Sequence, residues 1–340
     1  MYIGRGYAVW SSDDDGVSWR HETTLPGPWK RRLGGVARIA ARALRYEIRA
    51  LGVLSDGSLI VANRDWMYRA RAGEVTPSAA RIDHAGQAVK LPMTITVGPD
   101  DQVVWGEYNA ATGHGTPVRL YASRDEGRTF EIVHTFPARS VLHVHSLLFD
   151  PLHDHYWVFC GDYDDEPGIG ILSRDLDRFD WFCKGEQRFR LCEAFDFGDR
   201  LVYATDTPLA RNEILSLDKR SGRIDRLRAV SGSCLYAARF GRICAFSTTV
   251  EPGSLDGHRS PSLWISCDGD RFEEVLVTEK DCWPHVLQFG SLVLPRGRSE
   301  RENLFFSGQA VKRLDGRVTA GRIARGAPGA DRAAEAACST

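Results

Sequence analysis

The sequence predicts an all-β fold assembled from repeated units of four strands. A short loop pattern, Ser-x-Asp-x-Gly-x-Ser/Thr-aromatic, occurs at residues 12–19 and 123–130, and altered copies occur at 173–179 and 266–272. The serines that open the second and third copies are 50 positions apart, a spacing that suits four strands with their turns. Runs of β-branched and aromatic residues, bounded by turn residues, fill the intervals between the loops. Since no such unit can bury its own face, neighbouring units must pack against one another.

The loop pattern has a physical basis. A short Asp or Ser side chain accepts backbone N–H bonds and closes a tight turn. Glycine supplies a positive-φ position that other residues adopt only at a cost. The aromatic residue at the end of the pattern packs between neighbouring sheets and buries a large apolar area. The pattern resembles the Asp-box (BNR) repeat of the sialidase-like superfamily of β-propellers, and this resemblance implies that the loops serve folding, far from the active face.

The repeat period and the resemblance together predict a β-propeller. We expect six four-stranded blades, with seven as the alternative. A leading hairpin at residues 7–25 either pairs with the last blade and closes the ring or is half of a seventh blade. The six predicted units cover residues 50–82, 92–137, 141–189, 190–230, 233–280 and 284–323.

One propeller domain is predicted over residues 1–325. Residues 28–50 are rich in Arg and Lys and are expected to form a cationic surface connector within this domain. Residues 326–340 are rich in Gly and Ala and are predicted to be a disordered tail.

Composition excludes several classes of function. With 44 Lys and Arg against 45 Asp and Glu, the formal net charge is −1, which argues against nucleic-acid binding. The sequence has no run of about 18 apolar residues, so no transmembrane segment is predicted. The 8 cysteines are scattered singly, which indicates a reducing compartment, and the N-terminus lacks the layout of a signal peptide. We therefore expect a cytoplasmic protein, and the oligomeric state stays open.

Chemically active residues are expected at the propeller face where innermost strands begin and second strands end, here called the mouth. His143 and His145 are at i and i+2 at the start of a predicted innermost strand, so both side chains point to one side of it. The predicted catalytic residues are His143, His145, Asp162, Arg190 and His285. The predicted substrate-binding residues are Arg64, Glu107, Asp164, Glu193, Asp206 and Arg296.

These residue types indicate acid–base chemistry on an anionic substrate. Imidazoles and carboxylates supply a general acid and a general base, and a guanidinium group clamps a carboxylate. No cofactor is predicted with certainty. A divalent metal ion is an alternative, since imidazole and carboxylate ligate such ions, and its ligands would be His143, His145 and His285.

Two comparisons suggest the substrate class. The resemblance to sialidase-like propellers implies glycoside hydrolysis, although the Phe/Tyr-Arg-Ile-Pro segment of that family is replaced here by Ala37-Arg38-Ile39-Ala40. The mouth residues are also similar in type to those of propeller-fold polysaccharide lyases, which use histidines and an arginine that holds a uronate. We therefore predict a glycosidase or polysaccharide lyase acting on an acidic or cell-surface-type glycan. The alternative is a non-catalytic propeller that binds glycan or protein and assists polysaccharide assembly.

Overall fold

The computed structural model describes residues 1–29, 38–44, 47–84, 86, 88–108, 115–255, 257 and 259–321. The chain divides into two compact units, Met1–Arg190 and Leu191–Thr340. The described part of the basic connector contains a short helix, α1 (Arg38–Leu44). The predicted tail at 326–340 lies outside the described residues.

The first unit contains β1 to β16. Their bounds are β1 (Tyr2–Arg5), β2 (Ala8–Ser11), β3 (Arg20–Thr24), β4 (Ala50–Val53), β5 (Leu59–Ala62), β6 (Met67–Ala70), β7 (Ser78–Ala79), β8 (Arg81–Ile82), β9 (Thr96–Val97), β10 (Val103–Gly106), β11 (Val118–Ser123), β12 (Thr129–Phe136), β13 (Val144–Asp150), β14 (His155–Cys160), β15 (Gly168–Ser173) and β16 (Phe179–Lys184). Strands β1–β3 form a three-stranded sheet, while β4–β7 and β13–β16 each form a four-stranded one. Strands β9–β12 form a third group of four, to which the short β8 adds in parallel beside β12.

The second unit contains β17 to β28. Their bounds are β17 (Leu191–Asp196), β18 (Arg200–Thr205), β19 (Glu213–Asp218), β20 (Ile224–Ala229), β21 (Ser233–Phe240), β22 (Ile243–Val250), β23 (Ser262–Ser266), β24 (Glu273–Val277), β25 (Gly290–Val293), β26 (Arg298–Ser299), β27 (Leu304–Gln309) and β28 (Val318–Gly321). Strands β17–β20 form a four-stranded sheet. The other eight form one sheet, in which β21–β24 are joined to β25, β27 and β28 where β22 pairs with β25.

Consecutive antiparallel strands in groups of four are the arrangement of propeller blades, and they confirm the predicted fold class. Each of the six predicted units contains one group of strands. The leading segment differs from the predicted hairpin, because β1 adds a third strand beside β2. The Asp-box loops lie between third and fourth strands elsewhere, so β1–β3 correspond to the second, third and fourth strands of a blade.

The two full copies of the loop pattern have the same hydrogen bonds. In the second copy, Asp125 Oδ1 accepts the hydroxyl of Ser123 at 2.7 Å and the N–H of Thr129 at 2.8 Å. The N–H of Gly127 donates to Ser123 Oγ at 2.8 Å, and Gly127 has φ +78°. The first copy repeats these bonds at residues 12–18. The predicted turn chemistry is therefore present in both.

The third copy closes in a different way. Ser173 Oγ donates to Asp177 Oδ1 at 2.7 Å, so Asp177 takes the place that the pattern gives to Asp175. The positive φ of +64° falls on Leu176. In the fourth copy, Asp268 keeps the expected role, because Ser266 Oγ donates to its Oδ1 at 2.8 Å.

Aromatic residues fill the space between sheets in the first unit. Trp105 stacks on Tyr121 with ring centroids 4.2 Å apart, and both side chains are wholly buried. Phe130, which ends the second loop copy, contacts Trp105 edge-on at 5.9 Å and is also buried. This packing joins the sheet of β4–β7 to the sheet of β9–β12.

Candidate active site

Four of the five predicted catalytic residues lie together in the first unit. His143 immediately precedes β13, His145 lies within it, and Asp162 follows the end of β14. Antiparallel pairing brings the two strand ends together, since Val144 lies opposite Cys160. Arg190 follows a 3-10 turn, Gln187–Phe189, at the end of the unit. The register of one strand pair therefore delivers both imidazoles to one carboxylate.

Asp162 is the centre of this cluster. Its Oδ2 lies 2.9 Å from His143 Nε2, at ion-pair distance, and its Oδ1 lies 3.5 Å from His145 Nε2. Arg190 Nη2 lies 2.9 Å from the same Oδ1. All four side chains are buried, with His143 6% and Asp162 3% exposed. The carboxylate is therefore held by two imidazoles and a guanidinium group away from bulk water.

The backbone around Asp162 is held as firmly as its side chain. Its carbonyl oxygen accepts hydrogen bonds from Arg190 Nη1 at 3.2 Å and from Gln187 Nε2 at 3.0 Å. The N–H of Gly161 donates to the carbonyl of His143 at 3.1 Å. Residues at three points of the chain thus fix where the carboxylate points.

Burial and the neighbouring charges set the protonation states. Burial raises the pKa of the Asp162 carboxyl, but the imidazoles of His143 and His145 outweigh burial and hold that pKa well below its usual value. Burial lowers the pKa of His143, and this effect exceeds the opposing effect of Asp162. At neutral pH the pair is therefore a carboxylate anion beside a neutral imidazole.

The neutral ring of His143 presents a free lone pair. Because Nε2 faces the carboxylate, we assign the proton of the neutral ring to Nε2. The other nitrogen, Nδ1, is buried and has no hydrogen-bond partner among the described residues. Tyr108 packs on the same ring, with centroids 4.1 Å apart. Such a ring is a proton acceptor oriented by a carboxylate, which is the arrangement that general-base catalysis needs.

The cluster is poorly suited to bind a divalent metal ion. One donor atom each of His143, His145 and Asp162 lies within 4.8 Å of the other two, which suits a small ligand set. However, Arg190 already neutralises Asp162 at 2.9 Å and would repel a second cation bound to the same carboxylate. The donor set therefore fits an ion-paired His–Asp group better than a metal centre.

The remaining predicted residues of the first unit are Arg64, Asp164 and Glu107, and of these Glu107 accepts through its carbonyl the N–H of Val144, between the two histidines, at 2.9 Å. Arg64 is exposed and donates from Nη1 to the carbonyl of Leu44 at 3.4 Å. Asp164 is exposed in the turn after β14. Glu107 is wholly buried, and its two carboxylate oxygens accept the backbone N–H groups of Lys90 and Arg119. Burial raises the pKa of Glu107. Their substrate-binding roles stay predictions.

Four predicted residues belong to the second unit. Glu193 and Arg296 form an ion pair there. Asp206 is buried and accepts a hydrogen bond from Cys192 Sγ at 3.2 Å. His285 opens a 3-10 turn, His285–Leu287, and its buried Nδ1 has no hydrogen-bond partner among the described residues. The roles predicted for these residues also stay predictions.

Several residues that contact the cluster are absent from the predicted set, among them Tyr108, Gln187 and Glu166. Gln187 donates to the backbone of Asp162, and Glu166 accepts from it through Oε2. Neither has a sequence signal of its own. Glu166 follows Asp164 and Asp165 in a run of acids, and Gln187 lies in a polar segment, so pattern alone singles out neither residue.

Comparison with known proteins supports the fold. Neither a protein-family model nor a curated protein matches the sequence. Among solved structures, Ycf48 bound to a D1 peptide is 13% identical with a TM-score of 0.55, covering 91% of this chain and 85% of that one. Oligogalacturonate lyase in complex with manganese is 9% identical with a TM-score of 0.53, covering 79% of this chain and 74% of that one. A putative TolB from Agrobacterium tumefaciens is 14% identical with a TM-score of 0.46, covering 68% and 81%. The chain has the β-propeller fold.

Two further features bear on the environment of the protein. No helix in the described part of the chain is long and apolar enough to cross a membrane. No disulfide joins the seven cysteines whose side chains are described, and four of them, Cys160, Cys192, Cys234 and Cys244, are buried.

Proposed function

We propose that the protein is a polysaccharide lyase that cleaves a uronate-containing glycan, with His143 as the general base. The observation that carries this proposal is the buried pair of His143 and Asp162, in which Nε2 faces the carboxylate and Nδ1 is left to accept a proton. A lowered pKa keeps the imidazole neutral at physiological pH, and a neutral imidazole is the form that can act as a base.

The proposed reaction is a β-elimination. Nδ1 of His143 is buried in the free protein, so the bound glycan must expose it. Nδ1 then removes the proton on C5 of the uronate, which is acidic because it is α to the carboxylate. The C5 electron pair forms a C4–C5 double bond, and the C4–O bond breaks with its electron pair on the leaving oxygen. That oxygen takes a proton from water, and His143 later returns its own proton to solvent. No oxidant or second substrate is needed.

Elimination matches these side chains better than hydrolysis does. Most glycosidases use two carboxyl groups, one of which must be protonated to serve as the acid. Asp162 has a lowered pKa and stays ionised. Glu107 has a raised pKa, but it is wholly buried and bonded to two backbone N–H groups. The two-carboxyl chemistry of most glycosidases therefore finds less support here than imidazole base chemistry.

Each neighbour of His143 has a part in the proposal. Asp162 orients the ring and stabilises the imidazolium that forms on proton transfer. Arg190 acts through Asp162, because two of its nitrogens contact that residue. The exposed guanidinium of Arg64 is the proposed clamp for the uronate carboxylate.

The comparison supports this substrate class. Oligogalacturonate lyase, which carries an acidic glycan in its name, has the same fold at a TM-score of 0.53. This likeness shows that a propeller can carry such a reaction, and it adds weight to a glycan as the ligand. Buried cysteines that form no disulfide among the described residues support our further proposal of a cytoplasmic location.

A non-catalytic binding propeller is the second candidate function. His143 is only 6% exposed, and Asp162 is surrounded by protein groups, both of which also suit a structural ion-pair network. Ycf48, which has the same fold, was solved with a D1 peptide bound to it. A binder of glycan or protein would keep this cluster for stability alone.

One assay separates these functions. The protein is incubated with uronate-containing polysaccharides and with neutral ones, and both ultraviolet absorbance and new reducing ends are followed. The proposal predicts an absorbance that rises in step with reducing ends, because elimination leaves a C4–C5 double bond. New reducing ends without absorbance would show hydrolysis, and binding without either product would show the second candidate function.

A further inference from the structure

Glu166 is a buried carboxylate that joins the beginning of β13 to the end of β14. Its Oε2 accepts the N–H of Leu142 at 3.1 Å and the N–H of Asp162 at 3.2 Å. Leu142 directly precedes His143, so a single oxygen atom holds the two backbone segments that carry the proposed base and its partner. We infer that Glu166 is a positioning residue, which sets the separation of His143 and Asp162. This inference rests on the proposed function.

The turn after β14 is shaped to bring Glu166 back to these strand ends. The N–H of Glu166 donates to the carbonyl of Tyr163 at 3.0 Å and closes the turn. Gly161 has φ +86°, and a Cβ atom built on it would lie 2.2 Å from the carbonyl oxygen of Glu166. Only glycine fits there, because any side chain would push Glu166 away from the strand ends.

The electrostatic setting argues for a rigid clamp. Glu166 is 5% exposed, and burying a carboxylate is unfavourable unless donors replace the lost water. The two backbone N–H groups are such donors, and hydrogen bonds to an ionised acceptor are stronger than neutral ones. The neighbouring acids Asp164 and Asp165 are exposed and share none of these bonds.

The two hydrogen bonds of Glu166 matter because acid–base catalysis depends on the placement of His143 and Asp162. A displacement of about 1 Å at a catalytic group costs about 100-fold in rate. Glu166 does not touch the proposed substrate, so its loss is expected to lower kcat and leave KM unchanged.

The test compares Glu166→Met, which fills similar space without an acceptor, with Glu166→Gln, whose amide oxygen can still accept both N–H groups. Asp165→Ala is the matched control, since it removes a charge from the same turn without touching the strand ends. We expect kcat to fall at least about 10-fold in Glu166→Met, and to stay within about 2-fold of the parent protein in Glu166→Gln and Asp165→Ala. A Glu166→Met variant with the parent kcat would overturn the inference. So would a Glu166→Gln variant that loses as much as Glu166→Met, because charge and not the hydrogen bonds would then matter.

A second readout works whether or not the protein is a lyase. The ¹⁵N shifts of the His143 ring report which nitrogen carries the proton. The parent protein and Glu166→Gln are expected to show the proton on Nε2, and Glu166→Met a mixture of both tautomers. Unchanged tautomers in Glu166→Met contradict the positioning role. If the parent protein forms no elimination product, the proposed function is contradicted but the role of Glu166 is not. The ¹⁵N shifts of the His143 ring then still test that role.

Discussion

Arg190 contacts Asp162 at two points. Its Nη2 lies 2.9 Å from the side-chain Oδ1, and its Nη1 donates a hydrogen bond to the backbone carbonyl at 3.2 Å. Both residues are buried. The guanidinium group therefore balances the carboxylate charge and fixes its direction at the same time. The imidazoles of His143 and His145 are therefore oriented by a carboxylate whose position is fixed.

Removal of Arg190 is expected to destabilise the protein strongly. Arg190→Ala leaves a buried carboxylate without its main counter-charge, and breaking a buried pair from one side costs about 3–5 kcal/mol. Arg188→Ala is the control, because Arg188 forms an ion pair with Glu186 at the surface, where such pairs are worth about 1 kcal/mol or less. Chemical denaturation of the two variants measures both values. Equal losses in the two variants would show that the buried pair has no special weight.

The pH dependence of activity follows from the lowered pKa of His143. A base must be unprotonated, so kcat/KM is expected to rise with pH along an acid limb whose midpoint lies below pH 6.5, the ordinary pKa of histidine. A pH–rate profile of the parent protein checks this. An acid limb centred above 6.5 would mean that His143 is not the group that titrates.

Stability should decline on the acid side for two separate reasons. His143 has a lower pKa in the folded state, so the unfolded chain binds more protons and stability falls as pH drops below about 6.5. The Asp162 carboxylate also has a lowered pKa, and its contribution is lost only as pH falls below 3.8 toward that lower value. Unfolding free energies of the parent protein and His143→Gln, measured at several pH values, separate the contribution of His143 from that of Asp162. The first decline should be weaker in His143→Gln, and an identical decline would contradict this explanation.

The loop copies give a test of the fold that is independent of the site. Asp125→Ala removes hydrogen bonds from Ser123 and Thr129 and is expected to cost about 1–3 kcal/mol. Asp175→Ala is expected to cost less than about 0.5 kcal/mol, because Asp177 closes that loop. Thermal or denaturant unfolding measures both. A larger loss at Asp175 than at Asp125 would contradict the assignment of the third loop.

Metal binding at the cluster is expected to be absent. Arg190 lies against Asp162 and repels a second cation, so calorimetric titration of the parent protein with Mn²⁺ or Zn²⁺ should give no heat that depends on His143. His143→Ala is the comparison variant. Stoichiometric binding to the parent protein that disappears in His143→Ala would show a metal centre and would change the proposed chemistry.

The sequence predicts the fold class and most of the cluster because those features repeat or alternate. The loop pattern recurs at a regular spacing, and His143 and His145 share one side of a strand as the alternation requires. The sequence also predicts Asp162, because this residue follows the end of the next strand.

Features that depend on the path of the backbone were beyond sequence reasoning. The third loop gives its acceptor role to Asp177 because its positive φ falls on Leu176, which no residue pattern marks. Glu166 looks like its acidic neighbours until the turn folds back onto Gly161. Strand β1 is four residues long, too short for periodicity to show. Each of these is decided by tertiary packing and not by local preference.

His143 is the proposed general base, and replacing this residue tests that role most directly. His143→Ala is compared with His153→Ala, which removes an exposed imidazole from the other end of the same strand pair, paired there with Asp150 at 3.0 Å. With both variants shown to be folded by circular dichroism, initial rates of double-bond formation are measured on the uronate glycan that the parent protein cleaves. We predict a loss of at least about 100-fold in kcat for His143→Ala and a near-parent rate for His153→Ala. A folded His143→Ala variant that turns over at the parent rate would contradict the claim.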